Sequence, residues 1–404
     1  MKTSKSRRAL GVAAALVIAG ASYAAGHATA SPGPGGPVEA AFAARSYSSG
    51  SHAILHLSRR AADLRVQFYR AGGSRQGTFE GQPVGDPLTI AQPGSTLRLT
   101  IGSWPSGLYY AKVVTPKKGF WYAPFVLRPR RLGISDVLVV LPTNTWQAYN
   151  FEGGDSWYEH SDVHQIDLGR PYIDGGVPPH YHNYDRGFIR WLTLHGYEPD
   201  FVSDDDLDRL PSARTLARDY RLIVFPGHEE YTTTHEYDLV TGYRDLGGNL
   251  AFLSANDFFY KVTKQGNTMS GRWRWRDLGR PEAALVGAQY VGWNEDRYAN
   301  RPFRITGVRK TPWLFAGTGL HNGSRFGTYG IEVDSRTPAS PRGTTVLADI
   351  PNIFGPGKTA EMTYYATGGG AKVFSAGVMN FGGSSLWPTV NTMLENLWVK
   401  LTAP

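Results

Sequence analysis

The chain has no cysteine among its 404 residues. That excludes disulfides, thiolate metal sites, a cysteine nucleophile and a lipid-bearing cysteine at an export cut. It has no concentrated Lys/Arg stripe, so nucleic acid is not an expected partner. Gly-x-Ser-x-Gly does not occur, which removes the usual serine-hydrolase elbow. Gly153-Gly154 and Gly368-Gly369-Gly370 lack the spacing and the lysine of a phosphate-binding loop and read as turn glycines. The one long apolar run, Ala9 to Ala25, is short and alanine-rich, so no stable membrane span is expected from it.

That run reads instead as the centre of an export signal. Lys2, Lys5, Arg7 and Arg8 precede it, and Ala28-Thr29-Ala30 fits a small-residue cleavage pattern, so residues 1–30 are expected to be a signal peptide cut after Ala30. Ser6-Arg7-Arg8-Ala9-Leu10 also resembles a twin-arginine signal, which would carry the folded protein out of the cell. Loss of the leader takes those four basic residues and lowers the net charge from +8 to about +4. A hydrophobic share of 41% and an aromatic share of 13% then require a folded core, one that stands without covalent staples.

Residues 31–37 form a Pro/Gly-rich tether. From 38 to 131 short runs (His52–Leu57, Leu64–Tyr69, Thr96–Ile101, Gly107–Val114, Ala123–Leu127) alternate with turn residues, the pattern of an all-β sandwich. Arg128-Pro129-Arg130-Arg131 reads as the linker. From 132 to 404 the pattern is α/β and doubly wound. Val137–Leu141, Leu222–Phe225, Asn249–Ser254 and Lys372–Val378 are apolar runs suited to strands covered on both faces. Helical spacing holds at Phe188–Leu194, at His235–Leu246 before Gly247-Gly248, and at Pro388–Leu401. Residues 264–356 read as a strand- and loop-rich elaboration.

Three polar clusters follow predicted strands: Thr143 to Asn150, His228-Glu229-Glu230-Tyr231, and Asn256-Asp257. In a parallel sheet all three lie beyond the carboxyl ends of the strands, where α/β proteins bind ligands. The run Thr232–Thr234 can also cap the next helix. A second candidate is His180-Tyr181-His182-Asn183-Tyr184-Asp185, with His160 and His164 upstream. Its two histidines and carboxylate can hold a divalent cation or form a solvated aromatic loop, and both readings stay open. Tyr109 and Tyr110 alternate on their strand, one facing the core and one exposed.

The segments Thr145-Trp146-Gln147-Ala148-Tyr149-Asn150 with Gly153-Gly154, Gly227-His228-Glu229-Glu230-Tyr231, and Gly247-Gly248-Asn249 through Asn256 resemble the large (β) subunit of N,N-dimethylformamidase and its relatives. The resemblance covers roughly Leu132 to Leu401. It reaches the β domain more weakly through Trp104–Tyr109 and Tyr122-Ala123-Pro124-Phe125. It implies a C-terminal domain of flavodoxin-like, class I glutamine amidotransferase-like fold without the cysteine nucleophile, in accord with the missing cysteine. It also implies a mononuclear Fe(III) held by two tyrosines and a glutamate. By motif position these are Tyr149, Glu230 and a β-domain tyrosine, Tyr109 in preference to Tyr110. His228 would stand beside the metal as proton carrier, and Asn256 would face the substrate amide. One departure stands out: where the family pattern places a glutamate after a strand tyrosine, this chain has Tyr364-Tyr365-Ala366-Thr367-Gly368.

Two functions stay open on this reading. One is an exported iron hydrolase acting on the C–N bond of a small amide or extracellular substrate, as a homo-oligomer or with a small accessory subunit. The other is a non-catalytic extracellular binding module that lost its general base at Ala366, with Trp273–Trp275, Trp293 and Trp313 as a stacking surface.

Overall fold

In the computed structural model the described residues are 36–73, 79, 81–154, 156–158, 163–294 and 299–403; the leader and His160 lie outside them. The alternating runs of the first part do form strands. They are β1 (Ala40–Phe42), β2 (Ser46–Ser48), β3 (His52–Leu57), β4 (Asp63–Arg70), β5 (Gln82–Ala91), β6 (Thr96–Thr100), β7 (Gly107–Thr115) and β8 (Gly119–Arg128). One sheet has the order β1-β3-β6 and the other β2-β8-β7-β4-β5. Leu55, Leu99, Val66, Phe68, Tyr109, Val113 and Phe125 meet between them in one core. β5 has no counterpart in the sequence pattern because it carries Pro83, Gly85 and Pro87. As the edge strand of its sheet it tolerates residues that cannot donate to a ladder. Arg128 is the last residue of β8 and not part of a free linker.

The second part adds β9 (Val137–Leu141), α1 (Thr143–Ala148), β10 (Gln165–Asp167), α2 (Arg186–His195), β11 (Asp200–Ser203), α3 (Asp204–Asp208), α4 (Ala213–Asp219), β12 (Leu222–Phe225), β13 (Tyr231–Thr232), α5 (Thr234–Asp245) and β14 (Asn249–Phe252). Then come β15 (Tyr260–Gln265), β16 (Thr268–Arg274), β17 (Gln289–Trp293), β18 (Arg301–Ile305), β19 (Arg325–Tyr329), β20 (Glu332–Ser335), β21 (Thr345–Ile350), β22 (Ala360–Ala366), β23 (Lys372–Ser375) and α6 (Pro388–Thr402). The main sheet has nine strands in the order β11-β9-β12-β14-β23-β22-β21-β18-β19. The first five are parallel, and the rest continue antiparallel. The segment 264–356 is therefore no appendage to the sheet, since it supplies β18, β19 and β21.

Continuous apolar strands serve two faces. Val137, Val139 and Leu141 point toward α2 and α6, through Phe188, Trp191, Leu394 and Leu397. Leu138 and Val140 point toward α4 and α5, through Leu216, Val240 and Tyr243. Helix α5 is started by Thr233, whose side chain accepts from the Glu236 amide while the Glu236 carboxylate receives the Thr233 amide. The capping expected of Thr232–Thr234 is thus present, one residue upstream of the helix.

The sandwich is fastened to this domain at α3. Arg45 pairs with Asp205, the Ser46 hydroxyl donates to Asp206 at 2.7 Å, and Arg128 reaches Asp206 at 2.8 Å. Lys264 closes the network against Glu236 at 2.9 Å, Asp205 at 3.2 Å and Asp208 at 3.5 Å. Leu108, Tyr110, Tyr122 and Val126 on the outer face of β7 and β8 join the core that carries Phe188 and Tyr181. No helix among the described residues is long and apolar enough to cross a membrane.

Candidate active site

Parallel strands end on one edge of the sheet, so their loops meet there. Helix α1 leaves β9 and delivers Tyr149 at its C-cap. The loop after β12 carries His228 to Glu230 into the pairing of β13 with β15, where the Glu230 carbonyl accepts from the Tyr260 amide at 2.9 Å. The Glu230 amide donates to Thr145 Oγ1 of α1 at 3.1 Å, which ties two of the three loops together. Asn256, after β14, adopts a positive φ of 58°. Its amide is fixed by donating to Asp334 Oδ1 at 2.9 Å. Asp257 accepts from the Glu229 amide at 3.0 Å.

Glu230 is the centre of the cluster. Tyr149 donates to its Oε2 at 2.9 Å, and Tyr158 lies 3.4 and 3.3 Å from Oε1 and Oε2. The two phenol rings stack at 4.1 Å, and Tyr158 also hydrogen-bonds Tyr231. His228 Nε2 stands 3.5 Å from Glu230 Oε2 and 4.0 Å from Glu332 Oε2. His228 Nε2, Glu332 Oε2 and Asn256 Oδ1 are all buried without a hydrogen-bond partner among the described residues. Buried polar atoms are normally paired, so three orphans around one carboxylate mark a place built to receive a ligand.

The electrostatics follow from that enclosure. Burial, partly offset by the Tyr149, Arg272, Tyr158 and Asn256 contacts, pushes Glu230 up to about 7. Burial and then the neighbouring Glu230 charge hold Glu332 well above the usual carboxylate range. Burial, with Glu230 and other acidic neighbours, likewise raises Tyr149 well above the phenol range. His228 moves the other way, to about 3, through burial and then the adjacent His180. The imidazole is therefore neutral near pH 7.

A small cavity of about 10 Å³ adjoins the cluster, lined by Tyr149, His180, Tyr184, Asp185, Trp146 and His228. The Asp185 carboxylate accepts from Trp146 Nε1 at 3.2 Å, its second oxygen has no partner, and burial pushes it up to about 8. A Cβ at Gly227 would overlap that second oxygen, so the residue before His228 has to be glycine for Asp185 to sit where it does.

Several expected residues lie elsewhere. Tyr109 is fully buried in the sandwich core, stacked on Trp104 and Phe125, with its phenol donating to the Pro105 carbonyl at 2.8 Å. It does not join the Glu230 cluster, because β7 directs it between the two sheets. Tyr110, expected to be the exposed alternative if Tyr109 was core, is also fully buried, since the α/β domain covers the other face of β7. Tyr158 is the second phenol at Glu230. Ala366 is equally misplaced for a lost catalytic base. It is exposed at the end of β22 opposite Lys372, which opens β23, so it lies on the amino edge of the parallel strands. The acidic residue present at the site is Glu332, at the start of β20. Its only trace in the sequence is the alternation Glu332-Val333-Asp334, which sends two carboxyls to one face.

His180 faces Tyr149, with ring centroids 5.4 Å apart, whereas His182 is exposed, so the proposed chelating pair is not formed. His164 is exposed as well. Trp275 is buried and donates to Thr232 Oγ1 at 3.1 Å, while Trp273 is 48% exposed. With Trp275 in the core, the run Trp273–Trp275 does not present two rings to one stacking surface.

Among the described residues no group of three or more His, Asp or Glu side chains is arranged to hold a metal ion. The donors gathered here are of another kind: two phenols and a carboxyl, with a second carboxyl and an unpartnered imidazole nitrogen at the rim. Hard oxygen donors of this type suit a hard trivalent cation, and the phenolic protons now shared with Glu230 are those a metal would displace.

The profile of a family described as "N,N-dimethylformamidase beta subunit-like, C-terminal" matches residues 92–386. No curated protein matches the chain. Among solved structures, the mmIFT52 N-terminal domain is similar at 13% identity and a TM-score of 0.33, covering 52% of this chain and 87% of that one. A Jonesia denitrificans lytic polysaccharide monooxygenase aligns at 13% identity and 0.17, covering 21% of this chain and 56% of its own. A superoxide reductase (neelaredoxin) from Ignicoccus hospitalis gives 13% identity and 0.16, covering 23% and 78%. At these scores none of the three bears on function.

Proposed function

From the premise that this chain belongs to the N,N-dimethylformamidase beta subunit-like family, we propose that it is an iron-dependent hydrolase of a small linear amide. The observation that carries this is the meeting of Tyr149 and Tyr158 on the Glu230 carboxyl, with Glu332, His228 and Asn256 turned toward the same point. Tyr149, Tyr158 and Glu230 would hold one Fe(III). When bound, it would supply Lewis acidity to an amide carbonyl and to a water.

The remaining side chains divide the work. In its ionised form Glu332, a stronger base than an ordinary carboxylate because of its burial, takes a proton from the attacking water and releases it to the amine nitrogen as the C–N bond breaks, leaving a carboxylic acid and an amine. The Asn256 amide, which reaches both Glu230 and Glu332, is close enough to turn toward the developing oxyanion, where one such donor is typically worth about 3 kcal/mol. Neutral His228, with its Nε2 4.0 Å from Glu332, is placed to relay that proton. The flavodoxin-like, glutamine amidotransferase-like arrangement, export by the leader and a small accessory subunit belong to this same reading.

Protein expressed with iron supplied and purified intact is expected to contain about one iron per chain and to show the visible absorption of a ferric phenolate. It is also expected to release amine from a small formamide or acetamide. Tyr149→Phe should remove the colour. Colourless, metal-free wild-type protein would overturn the reading.

A further inference from the structure

A cleft of about 380 Å³ lies on the antiparallel half of the main sheet and shares no lining residue with the Glu230 cluster. Arg309, Lys310, Arg336, Asn322, Thr306 and Thr345 line it, and no carboxylate does. Its volume falls within the ~300–1,000 Å³ of small-molecule sites.

The polar groups around it are biased toward donation. Asn322 spends its side-chain oxygen on the Val308 amide at 3.1 Å, which leaves the NH2 as the free end. Arg336 is paired with Glu361 through Nε at 3.1 Å and one terminal nitrogen at 3.4 Å, and its other terminal nitrogen donates to the Thr344 carbonyl at 3.3 Å, so it offers the cleft its remaining N–H groups and not a free charge. Arg309 and Lys310 are exposed, and neither has a carboxylate partner among the described residues. The imbalance extends along the adjoining strands. Arg304 of β18 stands opposite Arg325 of β19, an arrangement that costs stability by like-charge repulsion. Asp349 neutralises Arg304 at 2.7 Å, and Arg325 has no such partner among the described residues.

We propose that this cleft binds a phosphate group, either as the free ion or within a phosphodiester chain. The unpaired Arg309 guanidinium and Lys310 ammonium, with the Asn322 NH2 and the remaining N–H groups of Arg336, together match the several acceptor oxygens of one tetrahedral oxyanion. The site is separate from the amide chemistry proposed above and does not depend on it.

The full chain is titrated calorimetrically with inorganic phosphate, at ionic strength held constant with NaCl so that general screening is the same throughout. A second titration uses poly(glycerol phosphate). Saturable binding of either ligand is expected, weakened at least about tenfold in Arg309→Ala/Lys310→Ala, whose two side chains are exposed and spare the fold. Asn322→Asp keeps the acceptor for Val308 and replaces the free NH2 by a carboxylate oxygen, so it should abolish binding. Preference for the free ion or for the polymer assigns the source. No saturable binding of either ligand, or binding unchanged in the double variant, overturns the proposal.

Discussion

Two sets of tyrosines separate the sandwich from the strand-end cluster. In the sandwich, Tyr109 is fully buried, its ring stacked between Trp104 and Phe125 and its hydroxyl satisfied by the Pro105 carbonyl. At the strand ends, half-buried Tyr149 and Tyr158 share one carboxyl, and three polar atoms around it lack partners among the described residues. Both regions raise the phenol, Tyr109 to about 12 by burial. Burial and a shifted proton affinity are therefore common to a core residue and a candidate ligand. What distinguishes them is whether the surrounding hydrogen bonds are complete.

The largest expected effect tests that distinction directly. Glu230→Gln keeps the shape of the side chain and removes the charge on which both phenols converge. Iron affinity should fall by more than the ~10–100-fold typical of losing an outer partner of a ligand. Iron content and visible absorption after dialysis are the measurements, and full retention of both would break the comparison.

Next comes the joint between the two regions. Lys264→Met leaves Asp205, Glu236 and Asp208 without their shared cation in a buried network. Removing one partner of a buried ion pair typically costs ~3–5 kcal/mol. Urea unfolding should show that loss, while the colour of the folded iron-loaded protein persists. A loss under about 1 kcal/mol would mean the network is more hydrated than its burial indicates.

A smaller effect concerns Asp185, whose acid form is favoured by burial. Its folded pKa of about 8 lies above the ordinary carboxylate value. Folding therefore favours the protonated group, and its contribution is full below about pH 4 and declines as pH rises through about 8. Asp185→Asn removes this dependence. Its stability relative to wild type should rise between about pH 4 and 8, as read from thermal unfolding across that range. A flat difference would show that Asp185 is ionised already, with a cation or water on its free oxygen.

Much of this arrangement could be read from residue pattern. Val137–Leu141 and Leu222–Phe225 coincide with observed strands because strands covered on both faces need unbroken apolar runs. The clustering of Tyr149, Glu230 and Asn256 follows from parallel topology alone. Glu332 was not legible in that way. It arrives on a short strand after the long β15–β19 excursion, and nothing local to it distinguishes a site carboxylate from a surface one. Ala366 misled for the opposite reason: it sits in a turn-like context resembling a family pattern, yet register with Lys372 puts it on the far edge. Tyr109 and Tyr110 failed on a tertiary fact, since alternation assigns opposite faces but does not say that a second domain covers the outer one.

The smallest effect is the sharpest control on the comparison. Tyr109→Phe deletes one hydroxyl whose partner is a backbone carbonyl at 2.8 Å. The ring stays, so packing against Trp104 and Phe125 is kept, and the cost is the net value of one hydrogen bond plus an unpaired carbonyl, about 1–2 kcal/mol. Iron content, colour and amide hydrolysis should not change, because nothing in the sandwich core reaches the Glu230 cluster. If colour were lost with the fold intact, Tyr109 would have to be a ligand in the iron-loaded protein. The sandwich would then have to open between its sheets to deliver that phenol, exposing Leu55, Phe68 and Phe125. Burying one such side chain is worth about 1.5–3 kcal/mol, so a metal able to recruit Tyr109 would leave a second signature: greater susceptibility of the sandwich to proteolysis with iron than without.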